Sequence, residues 1–447
     1  MQLDLTRGSV GGTMLRFALP MILGNLLQQC YNIADTVIVG RFLGSTALGA
    51  VGSAYTLMTF LISILLGLSM GSGALCSICW GREDMDGLKE RVCTSFVLIA
   101  ALTAALNLAA FWGLEEILGL LQVPAESRAL MRDYVWVILF GLPATFLYNY
   151  MACLLRAVGN STAPLLFLGI SAGVNIGLDL LFVVVFSWGV AGAAGATVAA
   201  QYLSGIGLIW YGLVKTPQLR PERRHCRVTW EGIGQIARFS GLTCVQQSVM
   251  NFGILLVQGR VNSFGPAVMA AFAAAVKIDS FAYMPVQDFG NAFSTFIAQN
   301  YGAQKPERIR QGIRWAVGTA AVFCLLASAA VCLLARPLLG LFVGTEEEIL
   351  SIGTTYLRIE GAFYVGIGCL FLFYGLYRAV AMPAMSVVLT IVSLGTRVVL
   401  AYVLSAIPAI GVLGIWWSVP IGWALADAVG FFYYRGCAGK LEQACRL

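Results

Sequence analysis

Apolar residues along the chain come in long unbroken blocks rather than in stripes. Cutting at charged or turn-rich stretches leaves blocks at 14–38, 51–78, 93–112, 134–155, 164–186, 190–214, 239–259, 267–298, 315–335, 356–376, 384–405 and 411–434. A helix rising about 1.5 Å per residue needs roughly 20 residues to cross the hydrocarbon of a bilayer, and most blocks reach that length. They are apolar on every face, whereas a strand of an outer-membrane barrel alternates apolar and polar positions over about ten residues. The pattern predicts an all-α polytopic membrane protein with twelve transmembrane helices. The long block at 267–298 leaves room for an interfacial turn, a tilt or a break near Pro285.

Composition supports this reading: 59% of the 447 residues are hydrophobic and 11% charged, too little charge to cover a soluble surface. The net charge of +6 is no nucleic-acid footprint, because its distribution follows the blocks. Of the 28 Lys and Arg, 20 fall in segments on the side of the N-terminus, 6 on the other side, and Lys277 and Arg397 inside blocks. That bias places both termini in the cytoplasm. The first block is of spanning length and lacks a small-residue cleavage pattern, so it is helix one rather than an export signal. The twelve cysteines are scattered and read as apolar fillers; the single histidine, His225, lies in a basic loop. Neither supplies a metal site, and no Gly-Lys-Ser/Thr phosphate loop is present. The expectations are no cofactor, no enzyme constellation and energy drawn from an ion gradient.

The chain repeats itself. At offsets of 221 and 222, Phe17 corresponds to Phe239, Gly44 to Gly265, Gly81 to Gly302, Gly119 to Gly340, Tyr134 to Tyr356, Arg156-Ala157-Val158 to Arg378-Ala379-Val380, and Gly189-Val190 to Gly411-Val412. Six crossings per copy insert both copies the same way up, as parallel repeats. The expected lobes are 1–226 and 227–447, joined through the basic stretch 215–238. Two such bundles would leave a cleft that rocking exposes to alternate sides.

Ionisable residues inside the blocks are expensive, about 2.5–3.5 kcal/mol each on insertion scales, so they face a cavity, a partner or an ion. In the first copy Asn175 and Asp179 stack one helical turn apart, with Asp35 in the first block and Thr197 in the sixth. If these helices converge, two carboxylates, an amide oxygen and a hydroxyl could hold a small hard cation, or the two acids could carry a proton. Their counterparts are Leu256, Arg397, Ala401 and Val419, so the chemistry belongs to the first copy alone. The second copy carries Lys277, Asp279, Asp288, Glu360 and Arg397, among which Asp279 or Asp288 could meet Arg397. These residues read equally as structural ion pairs or as substrate contacts, and Asp427 is a further acid inside a block.

Three stretches together resemble the multidrug and toxic compound extrusion (MATE) family, bacterial DinF-like and MepA-like members. They are Pro20 to Gly44 with its Asn-Leu-Leu-Gln-Gln run, Arg156 to Pro164, and Lys277-Ile278-Asp279 through to Ala303. The resemblance runs over essentially the whole chain. It implies two six-helix lobes around a V-shaped cavity and export of organic, often cationic or amphipathic, compounds against inward Na+ or H+. It also implies an acidic centre at Asp35, Asn175, Asp179 and Thr197. The chain departs from members with an essential carboxylate in helix seven: Thr243 to Gly259 offers only Gln246, Gln247 and Asn251, polar groups that cannot titrate. The expected partners are a small organic substrate and membrane lipids, with no nucleic acid, and the expected working unit is a monomer. A flippase for a lipid or lipid-linked precursor, or an exporter of one metabolite, is the alternative reading.

Overall fold

In the computed structural model, which describes residues 3–120, 125–226, 229–344 and 346–444, the apolar blocks are helices and no strand occurs among the described residues. The first half runs α1 (Val10–Leu43), α2 (Ser45–Gly81), α3 (Met85–Trp112), α4 (Leu114–Leu120), α5 (Ala125–Leu139), α6 (Leu142–Ala157), α7 (Thr162–Asp179) and α8 (Gly189–Lys215). The second runs α9 (Trp230–Asn262), α10 (Pro266–Gly302), α11 (Pro306–Val343), α12 (Glu347–Gly361), α13 (Tyr364–Ala379), α14 (Pro383–Ser405) and α15 (Leu413–Ala444). Among the described residues ten helices are long and apolar enough to cross a membrane. The other two spans are bent pairs, α5 with α6 at 47° and α12 with α13 at 51°.

Both bends fall at equivalent points of the repeat, and glycines with positive φ repeat as well. Gly44 (φ 88°) matches Gly265 (φ 100°), and Gly189 (φ 62°) matches Gly411 (φ 53°). Each pair turns the chain through a conformation that side chains disfavour. Proline opens α10, α11 and α14 within the first helical turn, where a missing N–H costs nothing. Pro285 does not break α10, which runs continuously from Pro266 to Gly302; the long block is one long helix.

The helices pack as membrane helices do, with small residues inward and large apolar ones outward. On α11 the buried face is Gly312, Ala316, Ala320, Cys324, Ser328, Val331, Ala335 and Leu339, while Leu326 and Leu333 are 67% and 80% exposed. A soluble helix would reverse this. The chain is thus a multi-pass helical membrane protein.

The chain forms two compact units. One is built on Leu23–Cys244, the other on Leu5–Ile22 with Val245–Leu447. Helices α1 and α9 therefore each contribute to both units. In the first unit α2 is the most enclosed span, and glycines let α9 approach it. A Cβ added at Gly67 would lie 2.6 Å from Cys244 Cα, and one at Gly71 2.5 Å from Ser240 Cα. In the second unit the beginning of the chain is held by its carbonyls: Asn300 Nδ2 donates to Leu5 O (3.1 Å), Lys305 Nζ to Thr6 O (2.9 Å) and Arg308 to Gly8 O (2.8 Å). The core of this unit includes Phe272, Tyr356 and Trp416, with ring centroids 4.8–5.6 Å apart.

The basic stretch between α8 and α9 is docked rather than free. Its short turn Arg223–Cys226 rests on α3. Arg224 and His225 Nε2 reach Asp86 Oδ1 at 3.3 and 2.8 Å, and Lys89 reaches Glu222 at 3.2 Å. The Glu222 backbone N–H donates to His225 Nδ1 (3.1 Å), so Nδ1 is the acceptor nitrogen and Nε2–H faces the carboxylate. The His225 hydrogen bond, followed by the Arg224 charge, holds the Asp86 carboxyl below the ordinary aspartate range.

Candidate functional site: two buried carboxyl centres

In the first unit α1, α7 and α8 converge on Asp35, Asn175, Asp179 and Thr197. Asn175 and Asp179 are 2% and 0% exposed, and their four-residue spacing on α7 puts both on one face. The carboxyls of Asp35 and Asp179 lie within hydrogen-bonding reach of each other, a contact that needs a proton on one of them or a cation between them. The Asn175 amide satisfies its surroundings when its nitrogen donates to Asp179 Oδ2 (3.2 Å) and its oxygen accepts from the Thr197 backbone N–H (3.3 Å). Thr197 Oγ1 donates to Ala193 O (3.1 Å), which spends the hydroxyl proton and leaves its oxygen free to accept. Asp35 Oδ1 and Asp179 Oδ1 are shut off from solvent with no donor to them. Two partnerless acceptors at one place are the chemistry of a site built to receive a proton or a small cation. Tyr31, one turn before Asp35, and Tyr134 on α5 lie within electrostatic range of both acids.

The local backbone has its own signature. Directly after Asp179, α7 widens into a π-helical turn over Leu180–Val185, the kind of insertion that recurs at functional sites because it displaces a side chain from the regular face. A Cβ added at Gly192 would lie 3.2 Å from Phe182 O in that turn. The glycine-rich start of α8 thus lets the two helices close on the site.

The second unit has a carboxyl pair of its own. Asp279 on α10 and Glu360 on α12 are 2% and 4% exposed and within hydrogen-bonding reach of each other. The Tyr364 hydroxyl donates to Asp279 Oδ1, and Tyr356 lies within electrostatic range of both acids. The positive charge of Arg397 acts on Asp279, Glu360, Tyr356 and Tyr283. Asp279 Oδ2, Glu360 Oε2 and Arg397 Nε are buried without partners.

Other candidates lie apart from these centres. Asp288 is buried nine residues further along α10. Lys277 is exposed, with no hydrogen-bond or ion-pair partner among the described residues. Gln246 and Gln247 are buried on α9, and Asn251 Nδ2 donates to Gln247 O (3.2 Å). Among the described residues no group of three or more His, Cys, Asp and Glu is placed to hold a metal ion. The tyrosines around both pairs were not singled out as site residues by sequence reasoning; the signal available was Tyr134 and Tyr356, which share a repeat position next to an acid in each half.

Comparison with known proteins shows the family and the fold. The MatE family model matches residues 20–181 and again 241–403, so the two matches reproduce the internal repeat. The chain is 30% identical over 436 residues to a probable multidrug resistance protein, YpnP, of Bacillus subtilis (strain 168), covering 97% of this chain and 96% of that one. It is 25% identical to a protein named FAD transporter of Shewanella oneidensis (strain MR-1), covering 93% and 92%. A solved structure described as MATE in the bent conformation superposes with a TM-score of 0.93 at 23% identity, covering 100% and 99%.

Proposed function

The chain belongs to the MatE family, whose members are transporters rather than enzymes, and from that premise we propose that it exports organic, cationic or amphipathic compounds by exchange for a cation bound at Asp35 and Asp179. Transport of small organic substrates across the membrane follows from the family; the exchange reaction is our reading. The observation that carries it is a pair of carboxyls within hydrogen-bonding reach of each other, each with an oxygen, Asp35 Oδ1 and Asp179 Oδ1, shut off from solvent and without a donor.

A proton fits this arrangement most directly. One proton on the pair makes the contact between the acids attractive; its loss leaves two negative charges side by side at membrane depth, which costs several kcal/mol unless a cation replaces it. Proton arrival therefore draws α1 toward α7, and departure pushes them apart. Asn175 passes that movement to α8 through the Thr197 backbone N–H. Coupling requires that proton and cargo favour different states of the protein, because a ligand shifts an equilibrium only by its differential affinity. Na+ at the same oxygens would satisfy the same electrostatics. The reading further assigns lobes 1–226 and 227–447, cytoplasmic termini and a monomeric working unit. It leaves Gln246, Gln247, Asn251, Lys277 and Asp288 as cargo contacts.

The test is efflux from proteoliposomes of several organic cations, and of flavin adenine dinucleotide as the cargo suggested by one relative's name, with proton and Na+ gradients imposed separately. Gradient-driven flux of at least one cargo should fall at least about tenfold in Asp35→Asn and in Asp179→Asn. Undiminished coupled flux in both variants rejects the site, and no gradient-dependent flux of any cargo rejects the exchange reaction.

A further inference from the structure

The polar residues of the first unit do not stop at the carboxyl pair. Ser171 stands one turn from Asn175 along α7, and Gln201 one turn from Thr197 along α8. They form a second layer about 6 Å from the first, on the side where α6 and α8 end. Both layers are tied across the two helices: the Thr197 backbone N–H donates to the Asn175 amide oxygen (3.3 Å), and Ser171 Oγ donates to Ala200 O (2.8 Å). Gln201 reaches the break between α5 and α6. A Cβ added at Gly141 would stand 2.2 Å from Gln201 Oε1, so the missing side chain makes room for that oxygen. Thr145 lies one turn further on, on the same helical face as Gly141, and its backbone N–H donates to Gly141 O (2.9 Å). Gln201 Oε1 and Thr145 Oγ1 are both shut off from solvent with no hydrogen-bond partner. The hydroxyl could have been spent locally, as the buried Thr103, Thr243 and Thr390 each donate to the carbonyl four residues back (2.7–2.9 Å). Buried polar atoms left unsatisfied at one bend call for water or an ion. The second copy has no such set: Phe363, Ile367 and Trp423 stand at the positions of Gly141, Thr145 and Gln201.

We propose that this second layer is a transit site for the exchanged cation, in which Gln201 Oε1, Thr145 Oγ1 and Ser171 Oγ order proton-carrying water or coordinate Na+ between Asp35–Asp179 and the end of the unit where α6 and α8 finish. The inference rests on the reading of the carboxyl pair given above. All three groups are neutral oxygens, the ligands that hard cations take, and Ser171 Oγ keeps its lone pairs after donating. Neutrality sets the role. An ion in passage needs partners good enough to replace its hydration and weak enough to let it leave; the carboxylates hold the cation and the neutral layer passes it on. For a proton, the acid pair gives its proton to a water held by Gln201 and Thr145, and that water hands one of its own to the next. No side chain of the layer changes charge. With Ile367 and Trp423 in place of Thr145 and Gln201, the second copy lacks the oxygens for such a route, as it lacks the counterparts of Asp35 and Asp179.

The experiment pairs cargo efflux from proteoliposomes, with proton and Na+ gradients in separate arms, with thermal unfolding of the purified full chain against concentration of the same cation. Thr145→Val and Gln201→Met keep the size of each side chain and remove the oxygen. Together they should lower the maximal flux about tenfold in the arm that drives wild type, the rate equivalent of one or two unmade hydrogen bonds. The cation-dependent rise in Tm should equal that of wild type, because the carboxyl pair is intact. Restoring the hydroxyl as Thr145→Ser should recover the flux lost in Thr145→Val. Wild-type flux in the double variant overturns the inference. A flux deficit accompanied by loss of the cation-dependent Tm also overturns it, since the layer would then be a support of the carboxyl pair. If the double variant fails to fold, Thr145→Val against Thr145→Ser decides: slow flux in the first alone supports the transit site, and equal flux overturns it. Failure of the exchange reading is seen separately, as undiminished flux in Asp35→Asn and Asp179→Asn.

Discussion

Asp179 shows what one residue demands of its surroundings at membrane depth. Its carboxyl is fully enclosed, faces a second acid, and has one neutral donor, the Asn175 amide. Replacing Asn175 by Leu keeps the volume and removes that donor, leaving Asp179 Oδ2 and the Thr197 N–H contact unsatisfied. We expect the protein to remain folded but lose about 1–3 kcal/mol in the state that holds the pair together, read as a fall in cation-driven flux with unchanged expression and gel-filtration profile. At the other end of the polarity scale, Asp86 is solvent-exposed and its carboxyl is held low by His225 and Arg224. A depressed folded-state value contributes stability above the ordinary aspartate range, about pH 4, which is lost as pH falls through the depressed value. Amide exchange at 222–226 should therefore accelerate below about pH 4, and Asp86→Asn should show the fast rate at neutral pH. Equal exchange in wild type and Asp86→Asn would remove the carboxylate from any role in docking this stretch.

At the scale of elements, the crossing of α2 and α9 is set by two missing side chains. A Cβ at Gly71 or Gly67 would meet backbone, not a flexible side-chain end, so even alanine forces the helices apart. Gly71→Ala should lower Tm by an amount corresponding to about 1–3 kcal/mol. Gly241→Ala, with nothing within 4 Å of the added carbon, should leave it unchanged. The comparison isolates overpacking from helix propensity, since alanine is the better helix former at both sites. The bent pairs α5–α6 and α12–α13 break at two-residue junctions at equivalent repeat positions, Phe140-Gly141 and Ala362-Phe363, inside apolar blocks. Neither break could be placed from hydropathy, because the blocks at 134–155 and 356–376 stay apolar through them.

For the whole molecule, the positive-inside bias predicts that a C-terminal green fluorescent protein fusion is fluorescent and that an alkaline phosphatase fusion at the same point is inactive; the opposite pair of results would invert the topology. The number of spans, the repeat and the difference between its halves were legible in the sequence, because bilayer thickness imposes a block length and duplication leaves a constant offset. Asp35 and Asp179 stood out because charge inside an apolar block is conspicuous without knowing its neighbours, and Asn175 and Thr197 because the repeat replaces them with Arg397 and Val419. What surrounds each acid was not legible. The sequence left Asp279 and Asp288 equally able to reach Arg397, and Glu360 had no assigned partner; helix rotation and tilt decided that Asp279 and Glu360 share one centre, within electrostatic range of Arg397. The π-helical turn after Asp179 and the sharing of α1 and α9 between two units also appeared only in three dimensions. Apolar block length is a property of consecutive residues, whereas the meeting of side chains more than a hundred positions apart depends on how closely glycine-lined helices pack.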